Sequence, residues 1–362
     1  MIRRLTEAGA VLLGKLNMME FAFRVVHPDY PPPRNPWNLE RSCAGSSSGS
    51  AAAVASTLCL GSLGTDTGGS IRIPAAYCGV VGFKPTYGLV SRTGVIPLSW
   101  TLDHVGPLAK TVEDAAIILA AIAGPDPADP SSVNGPKRPY RASLSRSLRS
   151  IRVGVVPQLL RSSVAREVQQ AVTAALDVLR DAGVGVEDVD LPRLDEAPAV
   201  QRTIIFAEAA AYHQHSLVAR ASDYSPRMRE QLALGLALPA TQYLQAQRLR
   251  RLITEEFLRT FRSVDLLVCP AAPVEATPLV QQSVVIDGET TEDVTVLTRL
   301  TNPFNVTGLP AISVPCGFSQ DGLPFGLQIV GRPFEDDLVL AAAYAYEQAT
   351  TWHLRAPVLD WA

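Results

Sequence analysis

Apolar positions along this chain fall either in short continuous runs or at helical spacing, and the two patterns take turns from end to end. Residues 2–8 predict a helix, and the run Ala10 to Leu13, closed by Gly14, predicts a buried strand. The proline-rich stretch Pro28 to Pro36 cannot hold a helix and must be a loop. Alanine-rich Ser50 to Leu60 predicts a closely packed helix whose free N–H groups face back toward Ser46 to Ser48. Ile71 to Cys78 and Val80 to Phe83 are apolar backbone to be buried beside it. Thr111-Val112-Glu113-Asp114 resembles a capping box, opening a helix through Ile117, Ile118 and Ile122 to Gly124. Ile151 to Val156 predicts a strand, Val164, Val168, Val172, Leu176 and Leu179 recur at helical spacing, and Val184 to Val189 predicts a further strand. Ile204 to Phe261 is mainly helical in pattern, and Val264 to Val268, Asn302 to Pro315 and Gly326 to Val330 supply further apolar runs. Leu338, Ala342, Ala345 and Ala349 mark one face of a closing helix. Strand, helix, strand in succession predicts an α/β fold, a mixed central sheet covered by helices on both faces. No internal repeat is visible, so residues 1–362 are expected to form one domain. Pro125 to Ser150, where proline, serine and the basic residues Lys137, Arg138, Arg141, Arg146 and Arg149 gather, is expected to be an exposed connection.

Composition narrows the classes. With 362 residues and 47% hydrophobic content the chain can bury a large core, which excludes a disordered or fibrous protein. A net charge of −3 from 32 basic and 35 acidic residues gives no electrostatic footprint for nucleic acid. Cys43, Cys59, Cys78, Cys269 and Cys316 are odd in number and lack zinc spacing, so reduced thiols and no metal are expected. The start has no apolar leader region and no later run is long enough to span a bilayer, so a soluble cytoplasmic protein is expected, with self-association left open.

The chemistry concentrates in Gly64 to Pro74, G-T-D-T-G-G-S-I-R-I-P. Gly68 and Gly69 precede Ser70, and backbone stripped of side chains can aim several N–H groups at one point. Ser70 is the candidate nucleophile, which needs an adjacent base and donors for an oxyanion. Asp66 and Arg72, of opposite charge, can pin the shoulders of the loop. A second loop, Ala44 to Ala53, reads A-G-S-S-S-G-S-A-A-A and puts Ser46 24 positions before Ser70. Gly45 to Gly49 also fits G-x-S-x-G, which would make Ser47 an elbow nucleophile. That arrangement requires an apolar strand before it, and Asn38 to Ser42 is loop composition.

The two loops together resemble those of the amidase signature family, with Ala44 and Ser48 standing where that family usually has glycine. Gly14 to Asn17 with Glu20-Phe21, Asn35 to Trp37, Cys78 through Thr86, Asp103 to Pro107 and Gly308 through Gln328 extend the resemblance almost to the end of the chain. It implies an amidase-signature fold and hydrolysis of a small-molecule carboxamide to carboxylate and ammonia or amine, without cofactor. Its implied mechanism has Ser70 as nucleophile, Ser46 on a cis peptide relaying the proton, and backbone N–H groups of Thr67, Gly68, Gly69 and Ser70 holding the oxyanion, with Asp66, Arg72 and Ser47 supporting the loop. The family's base is a lysine ending an apolar strand well before the relay serine. Lys15 and Lys84 match other blocks and are expected to be structural, so the catalytic lysine is expected to be missing, as in a chain lacking its first part. His104 is expected to be structural. Within the family the alternatives are the A subunit of a tRNA-dependent amidotransferase, whose Tyr-Asp-Gly run is absent after Ala207-Glu208, and a catalytically inactive remnant.

Overall fold

A computed structural model describes residues 1–359 apart from Lys137, Gln281, Gln282 and Asp293. Eight strands form its central sheet: β1 (Gly61–Asp66), β2 (Val81–Lys84), β3 (His104–Ala109), β4 (Arg152–Val155), β5 (Gly185–Asp188), β6 (Leu266–Pro270), β7 (Ala311–Phe318) and β8 (Pro324–Gly331). In space they run β1, β3, β2, β7, β8, β6, β4, β5. Neighbours are antiparallel from β1 to β6, and β6, β4 and β5 are parallel. Strand β8 is buried along its whole length and β7 along all but its last residue. Burial on both faces explains why they appear in the sequence as continuous apolar runs rather than alternation.

Eleven helices are described: α1 (Ile2–Glu7), α2 (Ser48–Ala55), α3 (Arg72–Cys78), α4 (Val112–Ile122), α5 (Pro157–Arg161), α6 (Arg166–Asp181), α7 (Ala197–Ala219), α8 (Pro226–Leu236), α9 (Ala240–Thr260), α10 (Pro303–Val306) and α11 (Asp336–Gln348). Helices flank the sheet, as the strand and helix spacing requires. On α6 the buried positions Val168, Val172, Ala175, Leu176 and Leu179 form the stripe that its periodicity predicts. Thr111 caps α4 by accepting from the Asp114 N–H at 3.1 Å. At the other end of α4 the Arg4 guanidinium donates to the carbonyls of Ile122, Ala123 and Gly124, satisfying groups that a helix terminus leaves bare. None of the described helices is long and apolar enough to cross a membrane.

Two expectations are corrected. Ala10 to Leu13 is not a buried strand: it lies without regular structure, with Val11, Leu12 and Leu13 83%, 65% and 74% exposed. Apolar character makes a strand only where a neighbouring backbone takes up its N–H and C=O groups, and no described strand pairs with this run. Pro125 to Ser150 is not simply solvated either. Tyr140, Leu144 and Leu148 are buried in the main core, so apolar anchors tie the segment down between its polar residues, while Lys137 lies outside the described residues.

Candidate active site

Both serine loops lie against the β1 end of the sheet. Ser46 and Ser47 precede α2, Ser70 precedes α3, and the chain between them is α2 and β1. The loops are stitched together: the Ser47 N–H donates to the Ser70 carbonyl at 3.3 Å, and Ser47 Oγ exchanges bonds of 3.2 Å with both the N–H and the carbonyl of Thr65 on β1. Ser47 is therefore buried and committed to the main chain, which leaves it no place as an elbow nucleophile. Ser46 follows a cis peptide bond from Gly45 and is fully buried, yet its Oγ has no hydrogen-bond partner among the described residues. A buried hydroxyl without a partner is the exception in folded proteins and calls for a role. Ser70 is half-buried, one face of it reaching solvent.

The Ser70 loop is held from inside by Asp66. Its carboxylate, with no exposure, accepts from the N–H groups of Gly69 at 2.7 Å and Ile71 at 3.1 Å. Gly69 has φ of +126°, a conformation that leaves no room for a side chain. Arg72 grips the same carboxylate with two bonds of 2.9 Å. Its other donors reach the Thr301 carbonyl at 3.0 Å, Gln328 Oε1 at 2.6 Å and Asn305 Oδ1 at 2.6 Å, so the whole guanidinium fork is satisfied. Asn305 on α10 closes the ring by donating to the Asp66 carbonyl and Oδ1. Burial would raise the Asp66 carboxyl, but Arg72 beside it more than reverses this and holds it well below the usual carboxylate range.

The loop's outer peptides are fixed by other elements. Thr67 Oγ1 donates to Asp103 at 2.6 Å, Gln201 Nε2 on α7 donates to the Thr67 carbonyl at 3.0 Å, and Thr301 Oγ1 donates to the Gly68 carbonyl at 2.7 Å. Of the four N–H groups expected to face an oxyanion, that of Gly69 is thus already donated to Asp66. No acceptor among the described residues takes the N–H groups of Gly68 and Ser70. One turn before Gln201 on α7, Pro198 lines a cavity of about 630 Å³ shared with Val296 and Arg299.

Burial pushes the Asp103 carboxyl up to about 6 from an ordinary 3.8, against the bonds it accepts from Thr67 and from the Leu98 and Ser99 N–H groups. The folded state therefore keeps this proton at pH values where the unfolded chain has released it. Asp103 adds stability below about pH 4, and that contribution is lost as pH rises through about 6. With about two pKa units separating the states, unfolding of wild type should show about 2 kcal/mol more pH-dependence between pH 4 and 7 than unfolding of Asp103→Asn. Denaturant melts at both pH values check this, and parallel pH curves for the two proteins would contradict it.

His104 donates through Nδ1 to the Leu102 carbonyl at 2.6 Å, and burial lowers its pKa well below the ordinary value. Lys84 is buried and donates to the Leu309 carbonyl and to that of Pro85. Burial, followed by the charge of Arg72, pushes its pKa well down. Neither side chain is hydrogen-bonded to Ser46 or Ser70, and Lys15 lies exposed in the irregular stretch after α1. Sequence reasoning passed over Asp103, Gln201, Thr301, Asn305 and Gln328 as individual residues. Gln328 did carry a signal: it is a lone amide in an otherwise apolar run, the mark of a buried polar group with a specific partner.

The architecture is that of an α/β protein with a paired-serine site at one end of a mixed sheet. The family profile described as Amidase matches residues 1–340. The A subunit of the glutamyl-tRNA(Gln) amidotransferase of Nostoc punctiforme is 42% identical over 390 residues, covering 99% of this chain and 79% of that one. Among solved structures, native peptide amidase from Stenotrophomonas maltophilia superposes with a TM-score of 0.83 at 34% identity, covering 99% of this chain and 77% of its own. A structure described as a vestigial protein complex bearing on the origins of an s-triazine catabolic enzyme gives 0.90 at 36% identity, covering 96% and 76%. The chain belongs to the amidase signature family, whose members here act on amide C–N bonds as hydrolases or amidotransferases.

Proposed function

We propose that the protein is an amidase in which Ser70 attacks the carbonyl carbon of a small-molecule carboxamide. Ser46 passes the Ser70 proton to the leaving nitrogen, ammonia or amine departs, and water hydrolyses the acyl-enzyme. The N–H groups of Gly68 and Ser70 stabilise the oxyanion. The observation that carries this reading is the buried, unpartnered Oγ of Ser46 in a loop bonded directly to the Ser70 main chain. Among the described residues no side chain is bonded to Ser46 as proton acceptor. Similarity to the A subunits of amidotransferases supports a second reading, transfer of the released ammonia to an acylated tRNA. Against it stands the sequence after Ala207-Glu208, Ala-Ala-Ala-Tyr-His-Gln-His.

Purified protein should release ammonia or amine from members of a panel of aliphatic, aromatic and N-acylated amides without any partner. If no amide is cleaved alone, and glutamine is cleaved only with a copurifying protein, the second reading replaces the first. Ser46→Ala should lower kcat by about 10²- to 10⁴-fold, the usual contribution of positioned proton transfer. Because its buried Oγ makes no bond, the melting temperature should hold or rise, not fall. Ser47→Ala should behave in the opposite way, losing about 1–3 kcal/mol of stability as two Thr65 groups lose their partner, with the smaller loss of kcat. A larger kcat loss at Ser47 than at Ser46 would exchange their roles.

A further inference from the structure

Gln201 is 8% exposed on α7 and donates from Nε2 to the Thr67 carbonyl at 3.0 Å. It presses so closely on the next residue that a Cβ placed on Gly68 would come within 2.1 Å of Nε2. The peptide that carries the Thr67 carbonyl also carries the Gly68 N–H, and in a planar trans peptide the two point in opposite directions. Fixing the carbonyl toward α7 therefore fixes the N–H away from α7, where no described acceptor takes it.

The adjoining groups are held directly by residues outside α7. Asp103 holds the Thr67 side chain, Thr301 holds the Gly68 carbonyl and Asp66 holds the Gly69 N–H. Only the Thr67-Gly68 peptide, flanked by a glycine that resists rotation weakly, relies on the glutamine. We propose that Gln201 is a positioning residue that sets the direction of the Gly68 N–H as an oxyanion donor, making α7 part of the catalytic loop's support. This rests on the reading of Ser70 as nucleophile. Gln201 touches neither substrate nor reacting atoms, and it acts through one peptide unit.

Gln201→Glu keeps the shape and replaces the donor with a group that donates only when protonated. At pH 8 its kcat should fall by about 10²-fold, the scale of one lost oxyanion donor, with KM within threefold of wild type. As pH falls through the titration of the new carboxyl, the ratio of variant to wild-type kcat should climb. Gln201→Leu should stay low at every pH. Wild-type kcat in both variants, or a Gln201→Glu deficit that does not vary with pH, overturns the proposal. A crystal structure of Gln201→Leu gives a readout that needs no turnover: the Thr67 carbonyl should have rotated away from α7, and an unchanged peptide overturns the proposal whatever the kinetics. Failure of the wild-type protein to cleave any amide would count against Ser70 as nucleophile, and the crystal structure still decides the peptide's dependence on Gln201.

Discussion

Ser70→Ala should lower amide turnover by about four to six orders of magnitude, the range found when a serine nucleophile is removed, while leaving the fold intact. The loop's shape does not depend on the lost hydroxyl. Asp66 grips the Gly69 and Ile71 N–H groups, Arg72 grips Asp66, and the Ser70 carbonyl that receives the Ser47 N–H belongs to the main chain. The side chain is therefore free for chemistry, and its removal should shift the melting temperature by no more than one or two degrees, as expected for a change of a few tenths of a kcal/mol. A serine-directed phosphonate should label wild type at Ser70, located by peptide mass spectrometry, and should not label the variant. Labelling that persists in Ser70→Ala, or that maps to Ser47, would remove Ser70 from its role.

How far the sequence led depended on where the partners lie. The serine loops were legible because their chemistry is local: glycines, serines and the Asp66 and Arg72 pair fall within a few residues of each other. The α/β layering was legible from periodicity, since α6 keeps its apolar stripe and β7 and β8 keep their buried runs. What holds the Ser70 loop was not. Thr301, Gln328 and Asn305 stand between 229 and 256 residues from Arg72 in the chain, and only the packing of α3 against β8 and α10 brings them together. Gln201 sits 134 residues from Thr67 on a helix whose sequence shows no motif. The strand expected at Ala10 to Leu13 failed for the converse reason: its apolar run meets no described partner backbone. The expectation that Gly69 offers an oxyanion donor overlooked the Asp66 carboxylate curling back onto its own loop.

Arg72→Met should be the most destabilising single substitution near the site, costing about 3–5 kcal/mol, the range for removing one partner of a buried ion pair. Both side chains have no exposure, so the attraction is unscreened by solvent and cannot be replaced by it. Loss of the guanidinium would leave the Asp66 carboxylate with neutral donors only, and would strand the Thr301 carbonyl, Gln328 Oε1 and Asn305 Oδ1. Arg72→Lys should recover little of this, because one ammonium with three donors cannot reproduce a planar fork serving Asp66, Asn305, Gln328 and Thr301 together. The pH dependence carries a further sign. In wild type the Asp66 carboxyl lies well below the usual range, so its contribution is present at neutral pH and is lost only as pH falls through that depressed value. Without Arg72 burial still raises the carboxyl, opposed only by the charge of Lys84 and by neutral hydrogen bonds, and the folded variant takes up a proton on acidification that wild type does not. The stability gap between the two proteins should therefore narrow from pH 7 toward pH 4. Denaturant unfolding at the two pH values decides it: an Arg72→Met protein as stable as wild type, or a gap that widens on acidification, would show that the Asp66 and Arg72 pair does not hold the Ser70 loop.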